Sequence, residues 1–186
     1  MSTAVITEPI REASPRARLA GVFYLLTFVT GIFALQVRTR LGFAVGLIAA
    51  ACYVVVTLLF YYIFKPVNRK LSLLAAFTSL AGCVIGPLSL LFHTLSRINP
   101  LVFFGFYCLL IGYLIFRSTF LPHILGALMA VAGLCWLTFL YPSLANSLSP
   151  YNMFPGMFGE GALTLWLLIK GVNVQRWKEQ ASAFGR

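Results

Sequence analysis

Six apolar runs of about twenty residues each, separated by short polar turns, occupy the chain from Arg16 to Val172 and leave it little choice of fold. Runs of that length reach across the ~30 Å hydrocarbon core of a bilayer as single α-helices. In lipid every backbone N–H and C=O must find its partner inside the segment, which a helix achieves and an open sheet does not. The predicted fold is therefore all-α: a polytopic membrane bundle of six transmembrane helices, with spans over 17–36, 41–64, 71–95, 99–117, 121–141 and 152–172. With 60% of its 186 residues apolar and 10% charged, the chain is not a soluble globular domain, and the six spans leave no room for a soluble catalytic domain.

The turns carry the boundary signals. Pro66 cannot continue a helical hydrogen-bond ladder, so the basic turn Lys65, Pro66, Asn68, Arg69 and Lys70 ends the second span. Asn99 and Pro100 open the fourth, and Pro122 fits the first turn of the fifth. The pair Gly86 and Pro87 is the one strong candidate for a broken helix. Residues 1–15 hold Pro9 and Pro15 without apolar periodicity and are expected to form a mobile tail. Residues 174–186 form a basic amphipathic tail, and the loop over 142–150 is uncharged. Although Arg11, Arg16 and Arg18 precede the first span as in a signal peptide, no small-residue cleavage site follows, so this span is expected to be retained.

Orientation follows from the basic residues, because Lys and Arg close to span ends stay in the cytoplasm. With the N-terminus inside, eleven of them (Arg11, Arg16, Arg18, Lys65, Arg69, Lys70, Arg117, Lys170, Arg176, Lys178 and Arg186) are cytoplasmic and three (Arg38, Arg40 and Arg97) are outside. Both termini are thus predicted to be cytoplasmic. Trp166, Trp177, Tyr61 and Tyr62 then lie near the inner ends, and Tyr141 and Tyr151 near the outer ones, where amphipathic rings prefer to sit. The net charge of +10 comes from short clusters rather than a continuous stripe, so no nucleic-acid partner is expected.

Helices in lipid gain little by burying apolar surface on one another and rely on close approach through small residues. Gly42 with Gly46, Gly82 with Gly86, Gly105 with Gly112, and Gly126, Ala130 and Gly133 supply such notches. They are read as contacts that form the fold, or alternatively as the interface to a second copy of the chain or another membrane protein.

Glu160 is the one acidic residue inside a span, roughly 12 Å deep at 1.5 Å per residue. A carboxyl at that depth is costly, so it is expected to face the bundle, to be hydrogen bonded, and to stay protonated unless water or a cation reaches it. Thr27, Tyr53 and Tyr107 fall at a similar level in their own spans and are candidate partners, a tyrosine being favoured. His93 lies toward the outer end of the third span and is a candidate for the lining of an outward vestibule. Glu160, Tyr53, Tyr107, Thr27 and His93 form the candidate ligand-binding set. His93 and His123 sit near opposite faces, which argues against a haem held by both. Cys52, Cys83, Cys108 and Cys135 lack metal-ligand spacing. With no nucleophile elbow, phosphate loop, H-E-x-x-H or paired carboxylates, neither a catalytic residue nor a metal or cofactor is assigned.

The run FFGFYCLLIGYLIFRSTFLP over 103–122, the following HILGALMAVAGL and the later PGMFGEGALTLWLLIKGVN resemble the bacterial membrane family called domain of unknown function 4386. ARLAGVFYLLTFVTGIFA and KPVNRKLSLLAAFTSLAGC are similar to it as well. Glu160 in GEG matches the acidic position before the end of the last span, and Trp166, Leu167, Lys170 and Gly171 match its closing W-L-x-x-K-G. The chain departs from the family pattern in two short outer loops, between the first and second spans and between the third and fourth. The resemblance implies a multi-pass protein of the bacterial cytoplasmic (inner) membrane, of unassigned activity. The expected function is a non-enzymatic packing or interaction module. The alternative is a small carrier or binder of a proton, cation or lipophilic molecule using Glu160.

Overall fold

The computed structural model describes residues 8–37, 39–91 and 99–184. Among them the ordered elements are all helical: α1 (Glu8–Gln36), α2 (Arg40–Phe64), α3 (Arg69–Leu91), α4 (Leu101–Arg117), α5 (His123–Leu137), a 3-10 turn (Thr138–Leu140), α6 (Pro142–Leu148), α7 (Met153–Ile169) and α8 (Val174–Phe184). Four stretches are long and apolar enough to cross a membrane: Pro15–Ala34, Arg40–Phe64, Arg69–Ser89 and His123–Leu140. The apolar helices α4 and α7 are shorter, at 17 residues each.

Each predicted apolar run is a helix, with three differences at the edges. Helix α1 begins at Glu8, upstream of the expected start. The uncharged loop contains α6, opened by Pro142 in its first turn, where the missing N–H has no partner to lose. Helix α3 passes through Pro87 and runs on to Leu91, so the candidate break at Gly86 and Pro87 does not occur. The predicted end of the third span and His93 lie outside the described residues.

Side chains and one glycine fix the turns. Asn68 Oδ1 accepts from the Leu71 N–H at 3.0 Å and satisfies a free donor at the start of α3. Gly171 ends α7 at φ 67°, a left-handed conformation that favours glycine, and its N–H reaches the Trp166 carbonyl at 3.0 Å. This turn gives the closing W-L-x-x-K-G its structural meaning. Lys170 lies 4.8 Å from the centre of the Trp166 ring. Past the turn, Asn173 Oδ1 accepts from the Arg176 N–H at the start of α8. Helix α8 is then tied down by Trp177 Nε1, which donates to the Ile63 carbonyl at 2.9 Å, and by Gln180, whose amide bridges the Arg117 carbonyl and the Thr119 N–H.

The long helices form a ring. Each of α1 to α4 packs on its successor, α5 packs on α7, and α7 closes the circle against α1. Glycine sets the seam between antiparallel α4 and α5. Gly105 faces Gly133 and Gly112 faces Gly126, seven residues apart on each helix, with a Cβ on any of the four meeting the opposing backbone at 2.8–3.1 Å. The glycines of the fourth and fifth spans are thus used inside the chain. Outside the ring the side chains are apolar and exposed, as at Phe77, Ile124, Phe158 and Ile169.

Inside, the two ends differ. Toward α8 the ring is filled by Phe60, Phe64, Ile111, Leu114, Ile115 and Leu167, none more than 1% exposed. Toward the α1–α2 hairpin it is hollow.

Candidate functional site

The hollow is a cavity of about 840 Å³ between α1, α2, α3, α4, α5 and α7. Its lining runs from Val37 and Thr39 in the α1–α2 hairpin, past Gly86, Pro87 and Pro100, to Glu160, Tyr24, Tyr53 and Trp136. Glycine makes part of this space. A Cβ on Gly31 would meet nothing within 4 Å, and those on Gly46 and Gly86 would reach only Ala34 at 3.8 Å and Pro100 at 3.9 Å. Helix packing among the described residues does not call for glycine at these three positions, and all three line the cavity.

Glu160 is buried and its carboxyl is held by side chains from four other helices. On Oε1 it accepts from Trp136 Nε1 of α5 at 2.7 Å, with Cys108 Sγ of α4 at 3.6 Å. On Oε2 it accepts from Tyr24 Oη of α1 at 2.5 Å and from Tyr53 Oη of α2 at 3.3 Å. The two tyrosine hydroxyls are 3.3 Å apart. One turn on, Thr164 Oγ1 donates to the Glu160 carbonyl at 2.8 Å and turns its polar atom onto its own helix.

The local sequence of α7 builds the seat for this group. Gly156 precedes Glu160 by one helical turn on the same face, and a Cβ there would lie 2.5 Å from the Trp136 ring. The indole therefore lies on bare backbone and its N–H reaches the carboxylate. Gly159 lets the next part of α7 approach the Leu128 carbonyl of α5. Gly161, on a face with no atom within 4 Å of its Cβ position, contributes nothing to the seat.

Of the residues picked from the sequence, the structure brings Tyr53 to Glu160 directly. Thr27 lines the same cavity, but its hydroxyl donates to the Phe23 carbonyl at 3.0 Å and does not reach the carboxyl. Tyr107 packs edge-on to Tyr53 with ring centres 5.9 Å apart, and its buried hydroxyl has no hydrogen-bond partner among the described residues. Tyr24, Trp136 and Cys108 are partners of Glu160 that sequence reasoning missed. Tyr24 lies eight residues from Arg16 and Glu160 ten from Lys170, so counting depth from the basic end would have paired them. Among the described residues no set of three or more His, Cys, Asp or Glu is placed to hold a metal.

The family described as "Domain of unknown function (DUF4386)" matches this chain over residues 35–99 and 96–171, which takes in α2 to α7 and Glu160. An "Uncharacterized protein" of Archaeoglobus fulgidus is 29% identical over 150 residues, covering 75% of this chain and 90% of its own length. No solved structure matches the chain.

Proposed function

The chain belongs to the DUF4386 family, a domain of unknown function, and we propose that it is a six-span membrane protein that holds a lipophilic small molecule in the cavity above Glu160. The observation that carries this reading is the cavity itself: about 840 Å³, walled mainly by apolar side chains and ending on one buried, fully hydrogen-bonded carboxyl. Small-molecule sites are typically of this size and composition, an apolar surround with a few convergent polar groups. The dense core toward α8 closes the site at that end. Tyr53 and Thr27 belong to its wall, with Tyr24 and Trp136.

In this reading α4 and α7 complete the set of six spans, membrane lipid covers the apolar outer surface, and both termini lie on the cytoplasmic side of an inner membrane. The distribution of Lys and Arg supports that orientation, and the cavity then faces outward. A packing module would instead present its glycine notches to a partner, whereas the pairs on α4 and α5 face each other.

Two measurements test the proposal. Cysteines introduced at the exposed Ser147 and Ser182 are compared for reaction with a membrane-impermeant maleimide in intact cells. Labelling at 147 and protection at 182 is expected; the reverse pattern refutes the orientation. Native mass spectrometry of protein released from its own membranes is expected to show a retained small molecule that Gly46→Leu, which fills the cavity, no longer carries. A wild-type protein that is empty in every mild detergent refutes the binding role.

A further inference from the structure

The lining of the cavity has a one-sided chemistry. Among the described residues six aromatic side chains contribute to it, Tyr24, Phe28, Phe43, Tyr53, Phe104 and Trp136, with a single acid, Glu160, and no Lys, Arg or His. Among the described residues the four contacts of the Glu160 carboxyl come from neutral donors, two hydroxyls, an indole N–H and a thiol. An ionised carboxyl here has its lone pairs satisfied but its charge unbalanced, and an unbalanced charge in apolar surroundings is costly. The occupant that removes this cost is positive, and the choice lies between a proton and a cation.

The wall decides which cation. A small metal ion gives up its hydration shell only for several oxygen ligands, which one carboxyl cannot supply. An organic cation with its charge spread under an apolar surface sheds water easily, and aromatic ring faces attract it further. Tyr53 and Phe104 stand edge to face at 4.8 Å and Tyr24 and Phe28 stack at 5.5 Å, so the rings form a continuous aromatic wall beside the acid.

We infer that the cavity selects lipophilic organic cations, the Glu160 carboxylate taking the positive centre and the aromatic wall enclosing its apolar groups. This rests on the cavity reading above and adds the charge of the ligand to it. The test uses tetraphenylphosphonium as the cationic probe and triphenylphosphine oxide as a neutral lipophile of related shape, both titrated by equilibrium dialysis against the full chain in nanodiscs at pH 8. Saturable binding of the cation, about tenfold or more tighter than the neutral compound, is expected. Glu160→Gln is expected to remove that preference while leaving the neutral compound's affinity within about twofold of wild type. Because the preference is read on wild type first, a Glu160→Gln protein that fails to fold does not leave the inference open. Equal binding of both probes overturns the cation selectivity and leaves the cavity reading standing. Failure of both probes to bind, with Gly46→Leu indistinguishable from wild type, overturns the two together.

Discussion

The indole Nε1 of Trp136, on α5, donates to Oε1 of Glu160, on α7, at 2.7 Å. An indole has no acceptor, so Oε1 must accept whether or not the carboxyl carries a proton. Any proton then resides on Oε2, facing the Tyr24 and Tyr53 hydroxyls, which accept as readily as they donate. The same four side chains therefore serve both charge states of Glu160. A site that exchanges a proton for an organic cation needs no rearrangement of its polar groups to do so.

Such an exchange makes cation binding depend on pH. Among the described residues the titratable groups around Glu160 are Tyr24 from α1, Tyr53 from α2, Cys83 from α3, and Tyr107 and Cys108 from α4, while α5 contributes the indole. Proton and cation compete for one carboxyl, so tetraphenylphosphonium affinity should fall as pH is lowered, up to tenfold per pH unit once the proton dominates. Neutral-probe affinity should stay flat. Proton uptake measured by calorimetry in two buffers of different ionisation enthalpy checks the sign: cation binding should release a proton at low pH.

Trp136 is placed to report occupancy. Its ring lines the cavity, whereas Trp166 sits beside Lys170 and Trp177 donates to the Ile63 carbonyl, at the α8 end. A bound ligand should change the fluorescence of Trp136 and leave the other two unchanged. Trp136→Phe should abolish the ligand-dependent signal and, by removing one donor to the carboxyl, lower stability by about 1 kcal/mol. Trp166→Phe should keep the signal. A response that survives Trp136→Phe would show that the ligand binds elsewhere.

The α4–α5 seam predicts a contrast between two glycines. A Cβ on Gly112 would lie 2.9 Å from the Gly126 carbonyl oxygen, and backbone cannot step aside as a side chain can. Gly112→Ala should destabilise by about 1–3 kcal/mol. Gly161→Ala adds its methyl to open space and removes a flexible residue from a helix, so it should be neutral or slightly stabilising. Thermal unfolding of both variants in one detergent measures the difference; equal effects would mean that the seam is not close packed.

Period, length and turn chemistry made the helices and most of their ends legible in the sequence, because each depends on neighbours along the chain. The small residues of the fourth and fifth spans were legible as contacts, but a glycine gives no sign of which surface it meets. Only the structure pairs Gly105 with Gly133. Glu160 was legible as the buried polar group because charge in a span is rare, and Tyr53 as a partner because it sits at the right depth. Trp136 was not. Near the end of its helix it resembles an interfacial ring, and its seat depends on Gly156, one turn before Glu160 on a different helix. Depth counted from the outer end of the last span also missed Tyr24, whose level matches that of Glu160 when both are counted from their basic ends. The cavity had no sequence signature, because glycines that leave space empty read the same as glycines that close it.

Three substitutions at Glu160 separate a carboxyl kept for packing from one kept for binding. Glu160→Gln preserves an acceptor for Trp136 Nε1 and presents an amide to the oxygens of Tyr24 and Tyr53, so every bond has a neutral replacement and the fold should lose little. Glu160→Ala takes the buried acceptor away from the indole N–H and the Tyr24 hydroxyl, at a cost of about 1–3 kcal/mol. Glu160→Leu takes away the same acceptor but restores apolar volume against Trp136 and removes an ionisable group from the cavity. If the carboxyl serves packing alone, Leu should be no better than Ala. If it is retained for a cationic ligand at a cost to stability, Leu should melt at or above wild type in ligand-free detergent, and tetraphenylphosphonium should raise the melting temperature of wild type only. Melting curves of the four proteins with and without the cation decide the matter: a wild type that exceeds the Leu variant and gains nothing from the cation would assign Glu160 to the architecture.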